Sequence, residues 1–147
     1  MSNSFDAALV VSTARKWIGT PYLHQGAAKG IGCDCIGLVR GVWAELGGAV
    51  PAGSVNYASS WSEIDRNETL LSALGQYLHQ ADIQDDETGM IVAFRIRAGA
   101  AAKHVAILTG QDTFIHAYQG NHVVENALSP FWRRRIAGRF TFHRQKA

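Results

Sequence analysis

A chain of 147 residues that is 47% hydrophobic and 18% charged carries enough apolar material for one sizeable core, so a single domain over 1–147 is expected. A net charge of +2 is too small to argue for nucleic acid, and Arg133-Arg134-Arg135 is the one basic run. No stretch approaches the roughly 18 apolar residues of a membrane helix, so membrane insertion by a helix is not expected.

In chain order, the first fourteen residues contain no Lys or Arg, and the apolar run Ala7 to Val11 is too short for a signal peptide. The expectation is synthesis in the cytoplasm, in a reducing compartment. Ser4 is a plausible N-cap for an amphipathic helix of about four turns, with Phe5, Leu9, Ala14, Trp17 and Ile18 inward and an end at Gly19. Thr20-Pro21-Tyr22 breaks it, and Leu23 to Gly32 reads as a glycine-rich loop. After Cys35, the residues Leu38, Val39, Val42, Trp43 and Leu46 form an apolar stripe at helical spacing that stops at Gly47-Gly48. Gly47 to Ser60 is irregular. Asn67 could cap a third helix with Leu70, Leu71, Leu74, Tyr77 and Leu78 buried.

From Gly89 the period changes. Met90 to Arg97 reads as a strand whose run Ile91-Val92-Ala93-Phe94 is buried on both faces. A small-residue loop follows, then strands at His104–Thr109 and Thr113–Ala117 around a turn at Gly110-Gln111-Asp112. Further strands are expected at His122–Ala127 and Arg139–His143, with a short helical turn opened by Ser129-Pro130 between them. Helices first and strands afterwards argue an α+β fold with an antiparallel sheet of about five strands.

Cys35 falls at the start of its helix, where unpaired N–H groups and the positive dipole end favour a thiolate. A cysteine nucleophile there needs a base. His104 opens one strand of a hairpin and is expected to face the helices; His116 lies in the partner strand, opposite or diagonal. Such a pair suits a base oriented by a second polar group, though two partly buried histidines satisfied by backbone would look the same. His24 and His122 sit in loops as solvated or substrate-facing groups, His79 ends the third helix, and His143 lies near the terminus. Cys33 reads as a small residue in a tight turn. One residue between the cysteines suits neither a disulfide nor a thioredoxin-like pair, and no zinc spacing exists; no metal or other cofactor is expected.

Gly19-Thr20-Pro21-Tyr22, Gly32-Cys33-Asp34-Cys35-Ile36-Gly37-Leu38-Val39, His104-Val105-Ala106-Ile107 and Phe114-Ile115-His116-Ala117 together resemble the NlpC-type family of cell-wall cysteine peptidases. The likeness runs from about residue 9 to about residue 143. It implies a papain-like α+β domain with helices packed on a C-terminal sheet, acting on the peptide stems of peptidoglycan at the bond after γ-D-glutamate. It also implies that Cys35 is the nucleophile, His104 the base and His116 the residue orienting it, with Tyr22 and Asp34 at the substrate or oxyanion side. Ile36 stands where members often have Ser, and Met90 where an acidic residue is usual. The run Ser129 to Phe140 resembles a narrower group encoded with phage tails and gene transfer agents. That likeness implies phage-like tail or baseplate partners and delivery to the periplasm and cell wall. A non-hydrolytic tail-tip or hub protein, and a thiol amidase or acyltransferase, are the competing readings.

Overall fold

The computed structural model describes residues 6–48, 69–81 and 88–142. The expected caps Ser4 and Asn67, together with Phe5, the segment 49–60 and His143, lie outside them, as does the Tyr77 side chain.

Helix α1 (Ala7–Arg15) starts at Asp6, whose carboxylate accepts the Ala8 N–H at 2.8 Å. It buries Val10, Val11, Thr13 and Ala14, whereas Leu9 and Ile18 are exposed, against expectation. The helical period ends at Arg15, and the turns that follow bring Trp17 inward while sending Ile18 out. Helix α2 (Cys35–Glu45) buries Leu38, Val39, Val42 and Trp43 as the stripe predicts. Trp17 lies across Gly41 of α2, where a Cβ would stand 2.1 Å from the indole ring, so only glycine permits this crossing. The Trp17 indole N–H donates to Glu45 at 2.9 Å and closes the same contact. Helix α3 (Thr69–Tyr77) buries Leu70 and Leu74, with Leu78 buried just beyond its end.

The expected loop from Leu23 to Gly32 contains a small two-stranded sheet, β1 (Ala27–Ala28) with β2 (Gly32–Cys33). Among the described residues the main sheet has six strands, one more than expected: β3 (His79–Gln80), β4 (Ile91–Phe94), β5 (His104–Leu108), β6 (Thr113–Ala117), β7 (Val123–Ala127) and β8 (Ile136–Thr141). Their order is β3-β8-β4-β5-β6-β7, with antiparallel neighbours throughout. His79 therefore belongs to an edge strand opposite Thr141, past the helix it was expected to end.

Strands β4 to β7 form a meander. The chain then leaves the β7 edge, passes through the short helix α4 (Pro130–Arg133) and re-enters beside β4 as β8. One face of the sheet (Ile91, Ala93, Val105, Ile107, Ile115) packs on α1, α2 and α3. The other (Val92, Phe94, Ala106, Leu108, Phe114) packs under Leu128 and Trp132 of the return segment. Strand β4 is buried on both faces, as its unbroken apolar run requires.

Candidate functional site

Asp34 organises the start of α2. It is 2% exposed, and its two oxygens accept the Gly37 N–H at 2.8 Å and the Gln25 N–H at 2.7 Å. One bond caps the helix; the other ties down the preceding loop. Gly37 is obligatory, because a Cβ there would sit 1.7 Å from the Gly26 carbonyl oxygen. The loop therefore lies directly on the first turn of the helix that carries Cys35.

Pro21 and Tyr22 form a strap beside this turn. Gly19 donates to the Val123 carbonyl, Val123 to that of Thr20, and Tyr22 to that of Asn121. The strap thus fastens the end of the β6–β7 hairpin to the cysteine segment, where Cys33 donates to the Pro21 carbonyl at 3.0 Å. Tyr22 is half-buried. Burial, and then the neighbouring Cys35, Asp34 and Cys33, push its hydroxyl up to about 12, so it stays protonated. Cys33 is fully buried on β2, and burial pushes its thiol up to about 12 as well.

Cys35 meets the sheet at the start of β5. The backbone N–H groups of Val105 and Ile36 are directed at its sulfur and favour the thiolate. Its place at the helix start predicts a pKa below the free-thiol value, and that expectation is not met. Burial foremost, and then the adjacent Asp34 carboxylate, push the thiol up to about 12, outweighing the amides. At neutral pH the resting group is a thiol.

His104 does not face the helices. Val105 and Ile107 supply the apolar surface that α2 needs, and strand alternation puts His104 on the opposite face with Phe94. As the first residue of β5 it lies at the strand end that Cys35 reaches, next in sequence to the amide that bonds the sulfur. His104 Nε2 lies 2.8 Å from His116 Nδ1, across the hairpin diagonal. His116 Nε2 lies 2.8 Å from Oδ1 of Asn126 on β7. Trp132 of α4 packs on both rings, at centroid distances of 5.9 and 5.5 Å, and Tyr118 on both at 5.6 and 5.7 Å. Burial, and then His116, lower the His104 pKa to about 3; burial lowers that of His116, partly offset by the bond to Asn126. Both rings are neutral at pH 7.

Asn126 and Trp132 are the members that sequence reasoning missed. A turn centred on Gly120 sets Asn126 opposite Phe114, on the His116 face, and an asparagine is out of place by propensity in a strand. That was the available signal for Asn126. Of the other histidines, His24 is half-exposed with Nδ1 3.9 Å from Asp34 Oδ2, while His79 and His122 are exposed. Among the described residues no cluster of His, Cys, Asp and Glu is arranged to hold a metal, and no helix is long and apolar enough to cross a membrane.

The profile of the NlpC/P60 family matches residues 19–140, a span that contains the cysteine turn, both histidines and Asn126. The chain belongs to the NlpC/P60 family. Membership places it in the cysteine-peptidase class of hydrolases. Curated members similar to it include a probable endopeptidase of Haemophilus influenzae, 26% identical over 86% of this chain and 69% of that protein. The Escherichia coli murein DD-endopeptidase MepS/murein LD-carboxypeptidase is 28% identical over 81% of this chain. The chain spans 54% of that relative's length. A γ-DL-glutamyl hydrolase of Bacillus subtilis is 28% identical over 88% of this chain and 28% of its own length. The NlpC/P60 fold is shared with the solved domain of the peptidoglycan hydrolase SagA at a TM-score of 0.62, with 22% identity, covering 92% of this chain and 98% of that one.

Proposed function

We propose that the protein is a cysteine endopeptidase that cuts peptidoglycan stem peptides at the bond between γ-D-glutamate and the following diamino acid. The observation that carries this reading is the pairing of a buried thiol on a helix start with a hydrogen-bonded imidazole chain at the adjoining strand end. The murein endopeptidase and γ-DL-glutamyl hydrolase among the relatives support the substrate class.

In this mechanism His104 takes the Cys35 proton as the sulfur attacks the scissile carbonyl. The imidazolium then protonates the leaving amine, and the acyl group remains on sulfur as a thioester. Water, deprotonated by His104, hydrolyses the thioester and returns the thiol. His116 holds the His104 ring. The Tyr22 hydroxyl, kept protonated beside Cys35, donates to the developing oxyanion. Asp34, with its oxygens on backbone amides, shapes the turn rather than touching substrate.

The resemblance of Ser129 to Phe140 to peptidases of phage tails and gene transfer agents supports a phage-like tail or baseplate as carrier, with action in the periplasm and wall. Digestion of purified sacculi followed by mass spectrometry of the soluble fragments tests the chemistry. New γ-carboxyl ends on glutamate and new amines on the diamino acid are expected, and none with Cys35→Ala. Intact stems, or products of amide exchange to another acceptor, would reject the assignment.

A further inference from the structure

We infer that Asn126 is a positioning residue that sets the direction of the His104–His116 chain, so that the free lone pair stands at His104 Nδ1. Asn126 presents Oδ1 to His116 Nε2 at 2.8 Å, and an oxygen can only accept, so Nε2 carries the proton. A neutral imidazole has one N–H, which leaves His116 Nδ1 as an acceptor. That nitrogen lies 2.8 Å from His104 Nε2, which must therefore be the donor. The single proton of His104 is then spent on Nε2, and Nδ1 is the base.

The opposite orientation of the amide reverses every step. Asn126 Nδ2–H would donate to His116 Nε2, His116 Nδ1–H to His104 Nε2, and the His104 proton would sit on Nδ1. A ring in that tautomer cannot take a proton from Cys35 through Nδ1. One amide, two residues removed along the chain from the base, thus selects between a competent and an incompetent tautomer. The effect requires both rings to be neutral, as their burial under Trp132 favours. Among the described residues the titratable groups whose rings meet His116 are His104 and Tyr118, and the other rings on it, Phe114 and Trp132, carry no charge. The nearest charged side chains on β7 and α4 are bonded elsewhere: Glu125 to Arg15 and Thr109, and Arg133 to Asp112.

The kinetic arm of the test rests on the peptidase reading; the spectroscopic arm does not. Imidazole 15N shifts at pH 7 should show wild-type His116 with its proton on Nε2 and His104 likewise. Asn126→Leu, which keeps the bulk and removes the acceptor, should give mixed tautomers at both rings. Asn126→Asp keeps the acceptor but its carboxylate favours a second proton on His116, whose Nδ1–H then donates to His104 and drives the His104 proton to Nδ1. Its acid limb of kcat/KM on a soluble stem peptide should therefore move to higher pH by a unit or more, with activity recovered on the alkaline side. Asn126→Leu should lose kcat about tenfold with KM unchanged. Asn126 is exposed on β7, so both variants are expected to fold, and near-UV circular dichroism checks this. If the 15N shifts and the acid limb are the same in wild type and both variants, Asn126 sets nothing and the inference fails. A wild type that is inactive on stem peptides, but whose tautomers respond to Asn126→Leu, keeps the inference and rejects only the substrate.

Discussion

A thiol buried beside a carboxylate and an imidazole buried beside another imidazole are each cheaper to keep uncharged than to ionise. Cys35 at about 12 and His104 at about 3 are both consequences of that one fact. A preformed thiolate–imidazolium pair is therefore not the resting state, and in the proposed mechanism the proton crosses while the sulfur attacks. The kcat/KM of the wild type on a soluble stem peptide should fall measurably in D2O, because a proton is in flight in the rate-setting step. An isotope effect of one would instead mean that the pair is already ionised. His104→Gln should lose about 10²- to 10⁴-fold in kcat, the usual contribution of a general base. His116→Gln keeps a polar group for His104 and should retain a substantial part of the rate. Equal loss from both, with both folded, would mean that His116 itself moves protons.

At the level of elements, the parts fixed by local pattern were readable and the parts fixed by crossing were not. Strand β6 runs over Thr113–Ala117 as the turn signals on either side dictate, and α2 follows from its apolar stripe and closing glycines. Strand β8 begins at Ile136, three residues before the expected Arg139, because pairing with β4 through a register shift at Ala93/Phe94 extends it. Strand β3 has no pattern of its own: two exposed residues become a strand only because β8 lies beside them. The facing of His104 was misread for a related reason. The sequence shows the alternation of β5, but which face meets the helices depends on the return segment that brings Trp132 over the far side. Cys35 as a candidate came from the helix start and His104 and His116 from their places in one hairpin together with the family resemblance, whereas Asn126 required the hairpin register. The close contacts of α2 make a sharp test here. Trp43 is 5% exposed and stacks on Phe142 at 5.1 Å, so Trp43→Ala should cost roughly 3–5 kcal/mol. Gly37→Ala, which forces the capped turn off the Gly26 carbonyl, should lower stability by about 1–3 kcal/mol or more. Urea midpoints at constant m-value would measure both, and an unmoved midpoint for Trp43→Ala would show that α2 is not packed as described.

For the molecule as a whole, the buried histidine pair links folding to pH. His104 is 8% exposed and His116 4%, and both are depressed below their ordinary value of 6.5. Above pH 6.5 neither the folded nor the unfolded chain binds a proton at these positions, so stability is level with respect to them. Below 6.5 the unfolded chain takes up protons that the folded chain refuses, and unfolding becomes progressively more favourable. For His104 this continues until pH falls through about 3, with a limiting slope of about 1.4 kcal/mol per pH unit, and His116 adds in the same direction. Carboxylates act in a different window. Glu125, held below its ordinary 4.5 by Arg15 first and Thr109 with it, contributes stability that is lost only as pH falls through that lower range. The interval between pH 6.5 and about 4.5 therefore belongs largely to the histidines. The melting temperature of the wild type should fall steadily across it, and the double variant His104→Gln, His116→Gln should show a much flatter profile there while keeping the loss below pH 4.5. Should the double variant decline as steeply as the wild type between pH 6.5 and 4.5, the histidines are not held neutral in the folded protein, and the proton inventory assigned to the site would have to be redrawn.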